Sequence, residues 1–168
     1  MAVKGWPPRY VTATTAGERS RGDGDTVAEF IESFCRVTKQ SFAAPAGELF
    51  TLRPWQKQLL SAMYARRPDG RLKHRTLLCG MPRKSGKSQL LSGMTLHHAA
   101  MGAPGSEAYA VAASRDQARI IFEVSKQMIR LDPELSGIFE IYRDVIENKV
   151  TKSLFKVLAS EAPQLEGL

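Results

Sequence analysis

Cysteine is scarce in this chain: two of 168 residues. Cys35 and Cys79 fit no metal-ligating or redox spacing, so a reducing compartment such as the cytoplasm is the default reading. Cys79 lies in an apolar run and reads as a small core residue. Long hydrophobic runs are missing as well. No stretch approaches the roughly 18 apolar residues of a membrane-spanning helix. The N-terminal Met1 to Pro8 lacks the apolar segment of a secretory signal. No internal repeat is present. Residues 1–25 have no apolar period and are rich in Gly, Pro, Thr and Arg, which predicts a flexible, extended or partly disordered segment.

Acid is missing from one stretch in particular. Net charge is +7 over the whole chain, but residues 53–88 hold ten Lys/Arg against the single acid Asp69, a local net of +9. Residues 1–52 are neutral and residues 89–168 carry −2. The basic excess implies that this stretch meets several phosphates, or that it also faces nucleic acid; for Arg66 to Arg75, a solvated basic loop is the plain alternative. The remaining composition, 43% hydrophobic and 24% charged, is that of a globular chain long enough to bury one core.

Periodicity places the elements. Thr26-Val-Ala-Glu29 has the form of a capping box and predicts a helix with Val27, Phe30, Ile31, Phe34 and Val37 on its buried face. Ser41 to Glu48 reads as loop. A second helix starts near Pro54, with Leu59, Leu60 and Met63 inward, and ends in the turn Arg67-Pro68-Asp69-Gly70. Thr76 to Cys79 is a short apolar run read as a strand. A helix from about Gly86 to Ala100 follows. Next come a strand at Ala108 to Ala113 and a helix from Arg115 to about Leu131, capped by Ser114, with Ile120, Ile121, Val124 and Met128 inward. Beyond Asp132-Pro133, Ile138 to Tyr142, Val145 to Asn148 and Leu154 to Ala159 read as short strands, with a hairpin turn at Asn148-Lys149. A βαβα run argues for a parallel sheet covered by helices.

Residues 71–88 carry the chemistry. The apolar run ends at Gly80, and the basic loop that follows closes on Gly86-Lys87-Ser88 just before a helix. A phosphate cradle needs a bend with little side-chain bulk, inward amide N–H groups, a lysine for the terminal phosphates and a hydroxyl for Mg²⁺. A following helix adds its N-terminal dipole. The common form G-x-x-x-x-G-K-[ST] is not met in full, because Met81 stands where its first glycine belongs and Gly80 is one place early.

Three separated pieces, Leu52-Arg-Pro-Trp-Gln56, Pro82-Arg-Lys-Ser-Gly-Lys-Ser88 and Ala112-Ala-Ser-Arg-Asp-Gln-Ala118, resemble in order and spacing the ATPase domain of tailed-phage large terminase subunits. These subunits drive the packaging of viral DNA. Phe30-Ile-Glu32 is similar too, so the resemblance runs from about residue 26 to the end. That family commonly replaces the first loop glycine and carries Pro-Arg or Arg-Lys before the Gly-Lys-Ser/Thr. The resemblance implies ATP and Mg²⁺ as cofactors. It implies that Gln56 reads adenine, that the amides of Lys84, Ser85, Gly86, Lys87 and Ser88 line the phosphate cradle, that Lys87 contacts the β/γ-phosphates and that Ser88 binds Mg²⁺. Arg83 would sense the γ-phosphate, which makes Lys87 and Arg83 the catalytic candidates. Arg115 and Arg119 are further arginine candidates, Gln117-Ala118 resembles a helicase-like motif found near nucleic acid, and Trp55 reads as packing. Implied partners are double-stranded DNA and, in an intact member, a small terminase subunit, a portal protein and a homo-oligomeric ring. No membrane is implied, and the setting is the cytoplasm of a bacterial host carrying the phage or prophage.

One part of the pattern has no counterpart. Phosphoryl transfer in this class uses a Walker B pair, an apolar strand ending in Asp-Glu, and none of Asp116, Asp132, Asp144 or Glu147 ends such a strand. In the family, the counterpart of Ser153 to Leu168 lies shortly before it, and a nuclease domain follows. The expectation is therefore a partial ATPase domain over residues 26–168 behind a flexible segment 1–25. The expected fold is α/β, a P-loop NTPase-type parallel sheet flanked by helices and incomplete at its C-terminal side. Such a piece alone is expected to be weakly stable or associating, to bind nucleotide poorly or not at all, and to hydrolyse it at a rate near zero. Two other readings stand beside it: a different P-loop DNA-dependent ATPase of helicase type, and a non-enzymatic DNA-binding remnant that uses residues 53–88.

Overall fold

The structure, a computed structural model, describes residues 14–40, 44–82, 84–112 and 114–159. The chain forms two compact units, Met1–Glu29 with Thr51–Gly80, and Phe30–Phe50 with Met81–Leu168.

The second unit is built on a four-stranded sheet. Its strands are β1 (Glu107–Ala112), β2 (Phe139–Ile141), β3 (Val145–Asn148) and β4 (Leu154–Ala159), in the order β1-β4-β3-β2. β1 and β4 run parallel, with Glu107 opposite Leu154 and Ala110 opposite Val157. β3 is antiparallel to both β4 and β2. The α/β class thus stands, and the sheet is mixed rather than parallel throughout. The reason is local: the β3–β4 connection is too short for a crossover and must fold back as a hairpin. Asn148 organises its turn, as the sequence predicts. Its Oδ1 accepts from the amides of Val150 and Thr151 at 2.9 and 3.0 Å. Its Nδ2 donates to the Ala99 carbonyl at 3.0 Å.

Two long helices, α4 (Lys87–Met101) and α5 (Arg115–Leu131), pack on each other and on this sheet. α5 begins where its cap predicts, with Ser114 Oγ accepting from the Gln117 amide at 3.3 Å. Ala118, Phe122, Ser125 and Ile129 form its buried stripe, the i, i+4, i+7, i+11 rhythm of a helix face. Ile120, expected inside, is 54% exposed. It lies about 200° around the helix from Ala118 and Phe122 is the same distance from it, so it cannot share their face. Phe122 meets Phe155 of β4 with ring centroids 5.5 Å apart, inside the range for favourable ring pairs. On α4, Leu90, Met94, Leu96 and Ala99 are buried. Gly93 lets that helix approach closely, since a Cβ there would lie 2.8 Å from Ile31 Cγ1. A helix absent from the sequence reading, α6 (Pro133–Ile138), follows α5. Its signal was present: Asp132 caps it by accepting from the Glu134 and Leu135 amides, and Pro133 takes its first position.

In the first unit, α1 (Ala16–Ser20) sits inside the segment read as extended. A reciprocal capping box makes it possible: Thr15 Oγ1 accepts from the Glu18 amide, and Glu18 accepts from the Thr15 amide. α2 (Gly24–Phe34) begins two residues before Thr26, which is therefore inside the helix and not its cap. A Cβ on Gly24 would lie 2.6 Å from Ser61 Cα, and one on Gly22 would lie 2.3 Å from the Tyr64 carbonyl oxygen. Those two glycines allow the chain entering α2 to lie against α3 (Pro54–Met63). The expected helix at Pro54 is present, with Leu60 fully buried.

The strand expected at Thr76 to Cys79 does not form. No described residue pairs with this segment, Leu78 is 97% exposed, and Cys79 is exposed rather than in the core. A four-residue apolar run has strand character only when a neighbour takes up its N–H and C=O groups.

Candidate functional site

The loop before α4 bends through two left-handed residues. Lys84 has φ 65° and Gly86 has φ 82°. For Gly86 this costs little; for Lys84 it is a backbone position that side-chain-bearing residues rarely take. Gly86 is the N-cap of α4, and no side chain caps that end. The first amides of a 15-residue helix are therefore left to an incoming acceptor, at the end where the helix dipole is positive.

Lys87 is the first residue of α4, where the sequence predicts it, although the segment entering the loop is not a strand. Its ammonium folds back over the loop and donates to the Met81 carbonyl and, at 3.3 Å, to the Pro82 carbonyl. Ser85 Oγ also donates to the Pro82 carbonyl, at 2.7 Å. These bonds hold the bend from inside. The ammonium is thus bonded to the carbonyls of the chain entering the loop, while its own residue begins the uncapped helix. Lys84 is exposed, and Ser85, Lys87 and Ser88 are half-buried. The expected cluster Lys84 to Ser88 is therefore brought together in one turn of chain. Arg83 lies outside the described residues, as does the side chain of Arg115.

A glycine bend, an uncapped helix start and a lysine at the first helical position follow one another along this segment, an arrangement that suits a group of concentrated negative charge. A hard cation accompanying such a group would find the Ser88 hydroxyl one residue further on. Among the described residues no cluster of three His, Cys, Asp or Glu is placed to hold a metal by itself, so most of its ligands would have to come from the bound anion and water.

Arg119 is not a free arginine. Its guanidinium pairs with Asp144, both groups being largely buried. Gln56 belongs to the first unit and is 2% exposed. Its Oε1 accepts from the Arg53 amide at 2.8 Å, closing the first turn of α3. The sequence reading missed this structural role, although an N-cap followed three residues later by Gln is a recognisable signal. Cys35 is buried, and burial with the nearby Asp132 carboxylate pushes its thiol up to about 12. It takes no part in acid–base or nucleophilic chemistry near neutral pH.

The described residues define an α/β unit in which a glycine-bend loop precedes a lysine at the start of a long helix. The comparisons with known proteins are specific. Residues 54–168 match the family described as terminase large subunit, ATPase domain. The terminase large subunit of Enterobacteria phage HK97 is 31% identical over 120 residues, covering 70% of this chain and 22% of that protein. The crystal structure of the HK97 bacteriophage large terminase superposes with a TM-score of 0.73 at 28% identity, covering 88% of this chain and 29% of that one. The chain belongs to the terminase large subunit ATPase-domain family. It spans less than a third of the length of these relatives. Among the described residues no helix is long and apolar enough to cross a membrane.

Proposed function

We propose that this chain is the nucleotide-binding part of a viral DNA-packaging motor, in which Met81 to Ser88 is a variant Walker A loop for ATP with Mg²⁺. The observation that carries this reading is that Lys87, whose ammonium bonds to the Met81 and Pro82 carbonyls, is the first residue of the uncapped helix α4. In this reading the amides of Lys84 to Ser88 receive the phosphate oxygens. Lys87 exchanges its carbonyl partners for the β/γ-phosphates, and the Ser88 hydroxyl ligates Mg²⁺. Lys87 is the residue through which charge developing in phosphoryl transfer would be neutralised, with Arg83 as the second cation. Gln56 is assigned to the adenine edge. Its Oε1 is already engaged by the Arg53 amide, so its amide NH₂ is the half it offers.

The residues of the Met81 to Ser88 loop are assigned nucleotide binding. Double-stranded DNA, a small terminase subunit, a portal protein and a ring of copies are the partners of the motor to which the chain would contribute. Its setting would be the cytoplasm of a bacterium carrying the phage or prophage.

The test is equilibrium binding of a fluorescent ATP analogue to the 168-residue chain and to Lys87→Ala, with and without Mg²⁺. We expect measurable binding that weakens at least tenfold in the variant, the loss of about 1.4 kcal/mol or more typical of a charge-assisted contact. Equal binding by both proteins would overturn the assignment of the loop.

A further inference from the structure

The strongest basic feature outside the Lys87 loop is a hairpin in the first unit, residues 65–73. Arg66 and Leu72 form an antiparallel bridge. The Arg67 amide donates to the Arg71 carbonyl at 2.8 Å, and the Lys73 amide donates to the Ala65 carbonyl at 2.8 Å. The turn Arg67-Pro68-Asp69-Gly70 closes it, with Gly70 at φ 81°.

Its cations fall into two groups. Arg66 and Lys73 face inward. Arg66 donates to Asp23 and to the Gly70 carbonyl, and the Lys73 ammonium meets both oxygens of Glu18 at 2.6 Å. These two bonds pin the hairpin to α1 and to the start of α2. Arg67 and Arg71, together with Arg75 just beyond the hairpin, are exposed, and none has a carboxylate partner among the described residues. The one acid of the turn, Asp69, has Oδ1 engaged by the Arg71 amide.

A solvated face normally mixes charges of both signs. Here the inward cations are neutralised and the outward ones are not, so the arrangement is suited to an external polyanion. Guanidinium groups match phosphate oxygens in pairs and stay charged at any working pH. We propose that Arg67, Arg71 and Arg75 form a contact for the phosphate backbone of double-stranded nucleic acid, held rigid by the Arg66–Asp23 and Lys73–Glu18 pairs. A repeating polyanion is favoured over an acidic protein surface because exposed, unneutralised guanidinium groups recur at Arg67, Arg71 and Arg75, as phosphates recur along a duplex backbone. Backbone contacts of this kind fix position and affinity but read no sequence. The inference deepens the motor reading by saying where DNA is held, and it does not depend on Lys87.

The experiment is fluorescence anisotropy of a labelled DNA duplex with the 168-residue chain across a KCl series. It compares the wild type, the triple variant Arg67→Ala/Arg71→Ala/Arg75→Ala, its Lys counterpart and Lys87→Ala. Each phosphate contact removed should make the log–log salt slope shallower by about 0.9, hence by roughly 2.7 for all three. The triple Lys variant should keep most of the slope, and scrambling the duplex sequence should change nothing. Circular dichroism of the Ala variant checks that its fold is intact, and the Lys variant keeps the test decisive if it is not. An unchanged slope in a folded Ala variant overturns the proposal, as an acidic protein partner would require. Loss of nucleotide binding in Lys87→Ala with the DNA slope intact would separate the fate of this proposal from that of the ATP loop.

Discussion

The unit of residues 30–50 and 81–168 buries a large apolar core, and in the unit of residues 1–29 and 51–80 a smaller apolar cluster that includes Val27, Leu60 and Ala65 is joined by two ion pairs. In the first of these, Phe122, Met128, Ile129, Ile146 and Phe155 are almost wholly removed from water. In the other, Arg66–Asp23 and Lys73–Glu18 tie the hairpin to α1 and α2, while Gly22 and Gly24 permit close backbone approach. The contrast follows composition. Residues 53–88 carry almost no acid, and the carboxylate partners of Arg66 and Lys73 are Asp23 and Glu18. The two families of contact respond to different stresses: a cavity harms the first, and acid or salt harms the second.

The largest effect should come from Phe122→Ala. Phe122 is fully buried, and a truncation of this kind costs about 3–5 kcal/mol. Urea unfolding followed by circular dichroism should show the midpoint fall for the sheet unit. A loss below roughly 1 kcal/mol would mean that the Phe122–Phe155 contact is not the centre of that core.

Acid should act on the other unit. The Lys73 ammonium, and after it the Thr15 amide, hold the Glu18 carboxyl at about 2 against an ordinary value of 4.5. The folded-state value is depressed, so the stabilisation is complete above pH 4.5 and is lost as pH falls through about 2. Hydrogen exchange at the Arg66 and Lys73 amides should quicken over this window, while the amides of β1 and β4 remain protected. Glu18→Gln should abolish the difference. Parallel loss of protection in both units would dissolve the contrast.

The smallest perturbation is thiol labelling. Cys79 is exposed, whereas Cys35 is buried with its thiol pushed up to about 12. Iodoacetamide should modify Cys79 and spare Cys35 in the native chain, with both reacting in urea. Protection of Cys79 in the native protein would place Thr76 to Cys79 against a partner strand and restore the expectation drawn from its sequence.

Where the sequence was readable, the signals were local. Ser114 and an apolar period placed α5 from Arg115 to Leu131, Pro54 placed α3, and two short apolar runs with Asn148 at the turn placed β3 and β4. Gly86-Lys87-Ser88 placed the candidate loop at a helix start. The parallel pairing of β1 with β4 and the pairing of Arg119 with Asp144 depended on residues elsewhere in the chain.

By itself, then, the sequence determined the helices α3, α4 and α5, where the lysine loop falls and which family the chain resembles, because caps, periodicity and motif spacing act over a few residues. Tertiary structure alone decided that Thr76 to Cys79 stays unpaired, that Ile120 faces water, and which cations of the basic stretch are neutralised and which remain exposed. Each of those outcomes needs a partner that is distant along the chain, and a partner's position is set by packing rather than by neighbouring residues.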